Sequence, residues 1–461
     1  MTGPPRTYAR VLLLLGLAGA IAVAIALLPG HRGWFDVGVY HGAVNHWVHD
    51  GGRLYDYVRP GTGYGFTYPP FAALCMLPLA VLDWHPAIAV NAAVTAAAAA
   101  FVLWLLVDPI ARREGWHRGF SFALAVCLFA MLGPVRDTVS FGQVNLVLLA
   151  LVYADLWLLD RGHRLAGVGS GVAAAIKLTP AIFIGYLVVT RRWRAAATAA
   201  ATASGATLLA WLVAPEATQT FFGRAVWDTG RVGALEYVSN QSLLGLAARW
   251  NPEHPNRLAW LVLVAVVLLV WAHRTRQAVR RGDERHGFAL TGIVACLVSP
   301  VTWVHHLVWL VPALVVLADS TLAGRAGRAG LAGRAGLAGR AGLAGRAGLA
   351  GRAGLAGRAE LAGLAGRAER SECAEDSRPG WRWLRLWLWQ WRALAAAYLL
   401  LCGSVVWLWS GDHDGVVGFF GSNSYVLLSL AMLLFLPLTT SGGTAPAGRE
   451  PERPRSARTP R

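Results

Sequence analysis

Long apolar runs are the feature that most constrains this chain. VLLLLGLAGAIAVAIALL (11–28) and LAWLVLVAVVLLVWA (258–272) are of the kind that cross a bilayer core of roughly 30 Å. Many more follow, so the chain is expected to cross repeatedly. Hydrophobic residues make up 56% of the 461 and charged residues only 15%. A soluble domain of this size would carry about a quarter charged residues. The expected fold class is all-α, a polytopic bundle of about ten to thirteen transmembrane helices. No small-residue cleavage site follows the first run, which reads as an anchor rather than a removable signal.

The net charge of +17 raises nucleic acid as a partner. The arginines, however, cluster between apolar segments and in the tail, as in the cytoplasmic loops of membrane proteins, so no nucleic acid is expected. Five cysteines (Cys75, Cys127, Cys296, Cys373, Cys402) are widely spaced and form no zinc-type cluster. Neither a disulfide framework nor a structural metal is inferred.

The arginine clusters set a topology. Arg6 and Arg10 put the N-terminus in the cytoplasm, so the first helix (10–28) leads to an outer loop. Residues 70–83 are too short to span and read as a juxtamembrane or re-entrant helix. Further helices are expected at 86–107, 119–132 and 144–159, then a pair broken at Lys177–Pro180. Others follow at 195–213, 257–273, 287–299, 303–318, 394–410 and 424–438. With both termini cytoplasmic, every strong arginine cluster between spans falls inside the plasma membrane.

Four regions are expected. Residues 1–319 form the catalytic core. Residues 320–380 carry a LAGRAG repeat of period six, which fits no supercoil and reads as a flexible cytoplasmic linker able to touch anionic lipid, or as a repeat expansion with no role. Residues 381–440 hold an interfacial Trp/Arg helix (WRWLRLWLWQWR) and the last two spans. Residues 441–461 form a basic, disordered tail.

The stretch from Trp34 to Pro70 is marked by its composition as a place for chemistry. It is long, polar and aromatic, with Asp36, Asp50, Asp56, three histidines and five tyrosines. Tyr40, Tyr55 and Tyr68 are candidate sugar contacts. Asp36 reads either as a helix cap or as a general base taking a proton from an attacking hydroxyl. Gln143 and Asn145, in GQVN, are amides suited to sugar hydroxyls. Arg136 beside Asp137 is suited to a phosphate, or to a surface pair. Lys177, the only lysine in the chain, lies between two apolar segments. A buried ammonium there needs an anionic partner, and a lipid-linked phosphate would be one; the alternative is snorkelling to the surface. Pro180 breaks the helix beside it. His305 and His306, adjacent on a helix, point about 100° apart and so do not read as one metal site; either can bond a phosphate or hydroxyl. Asn240 and Gln241, in YVSNQS, form a weaker sugar-contact set after Asp228, Arg231 and Glu236. No Walker loop, GxGxxG, HExxH or GxSxG motif is present.

In order, WFDVGVY, LYDY, FTYPPFAALCMLPL, FGQVNLVLLAL, GVAAAIKLTPAI, NQSLLGLAARW and SPVTWVHHLVWLVPAL resemble the polyprenyl-phosphate-mannose-dependent mannosyltransferases of actinobacteria. These are glycosyltransferase family 87, of the GT-C superfamily, and the resemblance covers residues 10–318. It implies a helical bundle with an extracytoplasmic site. It implies a mannosyl polyprenyl phosphate donor, a mannan or glycolipid acceptor, and inversion to an α-mannoside. Asp36 matches the family's aspartate base, Lys177 the lysine of its KxTP pattern, and His305 or His306 its late histidine. No metal or other cofactor is expected. Rival readings are a flippase for lipid-linked sugar, a transferase of another sugar such as arabinofuranose or glucose, and a structural subunit of an envelope assembly. The sequence does not give the acceptor, linkage position or oligomeric state.

Overall fold

The computed structural model describes residues 4–27, 32–323, 377–411 and 415–438. The LAGRAG repeat, Cys373 and the basic tail lie outside these residues. The described chain is helical, with a single isolated antiparallel bridge between Val58 and Gly65.

Helix α1 (Pro4–Leu27) leads to α2 (Phe35–Val48), short α3 (Pro70–Met76) and long α4 (Trp84–Arg113). Then come α5 (Arg118–Met131), α6 (Gly133–Phe141), α7 (Asn145–Leu159), α8 (Val168–Ile176) and α9 (Ile182–Val189). Helices α10 (Trp193–Val213), α11 (Pro215–Gly223), α12 (Leu243–Trp250), α13 (Arg257–Arg280) and α14 (Glu284–Val298) follow. The segment Val304–Ala323, here α15, opens with a 3-10 turn over Val304–Leu310. The C-terminal part is α16 (Ser377–Cys402), α17 (Gly415–Ser422) and α18 (Ser424–Phe435).

Among the described residues, four helices are long and apolar enough to cross a membrane: α4, α10, α13 and α15. Two bent pairs raise this to six, α5 with α6 at 78° and α17 with α18 at 61°. Other apolar stretches fold as shorter pieces, among them Asn145–Leu159 and Thr179–Val189. Lys177 leaves helical geometry at φ −149° and ψ 134°, dividing the 168–189 stretch into α8 and α9. Helix α7 has 15 residues, a rise of about 22 Å. Helices α2, α6, α11 and α12 fall in stretches expected to be loops. The Trp/Arg segment and the following span, expected as two elements, form one continuous helix α16.

Burial separates an outer shell from a core. Only 17% of the apolar window of α13 is buried, against 61% for α15. Exposed Leu258, Leu261, Val262, Val266 and Leu269 on α13 form an apolar surface that water would not tolerate but lipid would. Inside, α4 packs on α7, α8 on α10, and α14 on α13 and α15.

The C-terminal part is bonded into the core. Arg136 donates to the Cys402 carbonyl at 2.7 Å. Gln241 donates to Ser422 O at 2.7 Å and accepts from the Tyr425 and Val426 amides, both at 3.2 Å. Arg249 donates to Asn423 Oδ1 at 2.7 Å.

Two features place α2 beside α6. The Trp34 amide donates to Ser140 O at 3.0 Å. Gly142 ends α6 at φ 72°, and a Cβ there would sit 2.1 Å from Val37 Cγ2. Glycine therefore serves the left-handed turn and the close approach together.

Candidate active site

A cavity of about 430 Å³ lies between α2, the 65–69 strand-like segment, the start of α7, the α8–α9 break and the 3-10 turn that opens α15. Asp36, Tyr40, Tyr68, Gln143, Lys177, His305 and His306 all line it. Residues more than 260 positions apart thus line one cavity.

Asp36 stands in the first turn of α2, where the helix dipole favours a carboxylate. It does not cap the helix: the cap position is Trp34, with no side-chain cap bond. A polar ladder fixes its surroundings. The hydroxyls of Tyr40 and Tyr68 are 3.0 Å apart, and Tyr68 donates to Gln143 Oε1 at 2.9 Å. With its oxygen used, Gln143 turns its amide N–H toward Asp36, with which it is hydrogen-bonded. Helix α2 is outside the candidate spans. Burial pushes the Asp36 carboxyl up from the usual carboxylate range to about 7, against the Gln143 bond and the charges of Lys177 and Arg59. Arg59 is held by its own contacts, donating to Phe35 O at 2.6 Å and lying 4.6 Å over the Phe35 ring.

Lys177 and the histidines form the opposite wall. Lys177 Nζ donates to Asn145 Oδ1 at 3.1 Å and lies 2.8 Å from His306 Nε2. The Trp303 amide donates to His306 Nδ1 at 3.0 Å. A backbone N–H can only donate, so a neutral His306 carries its hydrogen on Nε2. Two donors, Nε2–H and an ammonium, then converge at the cavity wall, an arrangement that an oxyanion satisfies. His305 is 5% exposed, and its Nε2 has no hydrogen-bond partner. Its ring stands edge-on to Phe141 at 5.0 Å. Among the described residues, no group of three or more His, Cys, Asp or Glu is placed to hold a metal.

Other expected site residues lie off the cavity wall. Asn145 is 1% exposed and supports Lys177 from behind, with its amide also reaching His305 O at 3.4 Å. Tyr55 donates to Tyr68 O at 2.7 Å and stacks on Phe221. Arg136 is turned away toward Cys402 and Ser404. Asn240 is fully buried, donates to Leu235 O at 2.9 Å and accepts from the Thr302 amide. Gln241 ties the loop to α17 and α18. For Arg136, Asn240 and Gln241, these bonds to backbone replace the direct substrate contact expected from sequence.

The cavity also holds residues that sequence reasoning did not weigh. Arg32 lies 3.6 Å from Asp137 and over Trp407 at 5.0 Å. Its position four residues before Asp36 was a usable signal. Arg231, noted in the sequence only as preceding YVSNQS, also lines the cavity and donates to Tyr55 O at 2.7 Å. Trp407 comes from the C-terminal part, and nothing in its local sequence marks it.

Comparison with known proteins identifies the family. A Mycolicibacterium smegmatis protein, polyprenol-phosphate-mannose-dependent alpha-(1-2)-phosphatidylinositol mannoside mannosyltransferase, is 32% identical over 333 residues, covering 67% of this chain and 75% of that protein. A Mycobacterium tuberculosis protein, polyprenol-phosphate-mannose-dependent alpha-(1-2)-phosphatidylinositol pentamannoside mannosyltransferase, is 33% identical over 344 residues, covering 71% and 76%. No solved structure matches significantly. The profile of glycosyltransferase family 87 matches residues 66–300, which include Tyr68, Gln143 and Lys177. On this match and the length of the shared sequence, the chain belongs to glycosyltransferase family 87.

Proposed function

We propose that this membrane glycosyltransferase moves mannose from a polyprenyl-phosphate donor to a hydroxyl of a mannosylated glycolipid, with Asp36 as general base. The relatives' names support a polyprenol-phosphate-mannose donor and a phosphatidylinositol mannoside acceptor. The cavity opens on the extracytoplasmic side of the plasma membrane, a reading supported by the arginine distribution.

In the proposed step, the acceptor hydroxyl gives its proton to the Asp36 carboxylate as its oxygen attacks the anomeric carbon. The bond from that carbon to the phosphate oxygen breaks, and its electron pair leaves on the polyprenyl phosphate. Attack from the face opposite the leaving group inverts a β-linked donor to an α-mannoside. Lys177 Nζ and His306 Nε2–H receive the growing negative charge, with His305 Nε2 beside them. Tyr40, Tyr68 and Gln143 hold Asp36 and present hydroxyl and amide edges to the sugars.

The observation that carries this reading is the pairing across one cavity. A carboxylate with its pKa near neutrality faces converging donors whose contact calls for an oxyanion. The test uses purified protein in liposomes, labelled polyprenyl-phosphate mannose and phosphatidylinositol mannoside acceptors. An α-mannosylated product is expected. Labelled donor crossing the bilayer with no product would overturn the transferase in favour of a flippase.

A further inference from the structure

Helix α7 has a second cavity at its far end. Its first residue, Asn145, touches Lys177 and the His305 carbonyl, while Tyr153, Leu156 and Trp157 line a separate cavity of about 290 Å³. Helix α14 joins the same two places in the opposite direction: Arg285 near its start lines this cavity, and Cys296 near its end reaches the His306 carbonyl. Helix α4 brings its C-terminal end here through Asp108 and Arg112. The rise along α7 from Asn145 to Trp157, about 18 Å, therefore separates the two cavities, which lie toward opposite ends of the helix.

The charges in this cavity are not balanced internally. Asp108 is already held by Arg112, at 2.7 Å, and by Arg118. Arg161 lies 3.9 Å over the Trp157 ring and donates only to the Trp157 carbonyl, at 3.1 Å. Among the described residues, Arg285 makes no hydrogen bond or ion pair to a carboxylate. Asp160 is the one lining carboxylate left to face two guanidinium groups. Two neutral donors are also unused. Tyr153 is 1% exposed, and among the described residues neither its hydroxyl nor the Trp157 indole N–H has a partner. A buried hydroxyl without a partner is costly, so such a group marks a place where a ligand adds a bond. Trp104 and Leu106 supply an apolar flank.

We infer that this cavity binds the phosphodiester headgroup of an anionic glycerophospholipid, in the leaflet opposite the Asp36 cavity. Arg285 and Arg161 meet the phosphate, and Tyr153 and Trp157 donate to its oxygens. Trp104 and Leu106 lie along the start of the acyl chains. The combination of unbalanced guanidinium charge, neutral donors and interfacial tryptophans on an apolar wall is what a lipid phosphate at the membrane surface requires.

The test is native mass spectrometry of delipidated protein titrated with phosphatidylglycerol, with sn-glycerol 1-phosphate and inorganic phosphate in parallel arms. Wild type is expected to bind one phosphatidylglycerol at least tenfold more tightly than Arg285→Gln. Trp157→Phe, which removes only the indole donor, is expected to lie between them. Arg257→Gln, at the start of α13, is the control and is expected to match wild type. A size-exclusion profile like wild type's excludes misfolding as the cause, and Trp157→Phe carries the test if Arg285→Gln fails it. Equal affinity in wild type and both cavity variants overturns the site. Arg285-dependent binding of the soluble phosphates as tight as that of the lipid overturns the lipid assignment in favour of a soluble phosphate ester.

Discussion

Two carboxylates, 119 positions apart in the sequence, show how differently this bundle treats buried acid. Asp155, on α7, has no exposure. Its oxygens accept from the amides of Gly167 at 2.9 Å, Gly169 at 3.0 Å and Ser170 at 2.6 Å. It therefore closes the open start of α8, where unpaired backbone donors need an acceptor. Asp36 has a single amide from Gln143 and faces the Lys177 ammonium across a cavity. Asp155 is saturated by backbone and has nothing left to give a substrate. Asp36 is desolvated but under-bonded, so its proton affinity is high and its oxygens face the space where an acceptor would lie. Burial alone does not distinguish a structural from a reactive acid; the count and kind of donors does.

The sharpest way to break this contrast is to remove each charge. Asp36→Asn is expected to lower transfer by at least about 10³-fold while the thermal midpoint in detergent stays near wild type. Transfer within a few-fold of wild type would return Asp36 to a structural role. Lys177→Met is expected to lower kcat/KM by on the order of 10²-fold, through loss of the charge that meets the leaving phosphate. A loss confined to stability would count against that role. Asp155→Ala should do the reverse. Three amides would lose their acceptor, at a cost of about 2 kcal/mol or more. The thermal midpoint should fall, with turnover per folded molecule near wild type. Arg136→Ala is expected to change turnover least, within a few-fold, because its guanidinium bonds Cys402 O and Ser404 Oγ rather than the cavity. A large, stability-neutral loss there would restore its phosphate role.

The same contrast explains how much could be read from sequence. Asp36, Lys177 and the two histidines were legible because each is chemically out of place, a charge or imidazole at the edge of an apolar run. The break at Lys177–Pro180 was legible for the same reason, since proline cannot continue a helix. Asn240 and Gln241 were misplaced because amides that bind sugars and amides that bond backbone look alike in sequence. Only the fold shows Gln241 fastened to Ser422, Tyr425 and Val426. Asp155 drew no notice because its partners are backbone amides, which carry no sequence signature. Trp407 reaches the cavity through long-range packing that no local pattern encodes. The short helices α2 and α6 were read as loops because polar residues interrupt their apolar period.

The central claim is that Asp36 acts as a base held near neutrality by its cavity. The pH dependence of kcat/KM, measured for wild type beside Lys177→Met, tests it most directly. The carboxylate is the active form, so kcat/KM should fall about tenfold per pH unit below an acid limb near 7. Lys177 pulls the Asp36 pKa down, so removing its charge should move that limb upward. A profile flat from pH 5 to 8, or a limb at the same pH in both proteins, would contradict the account.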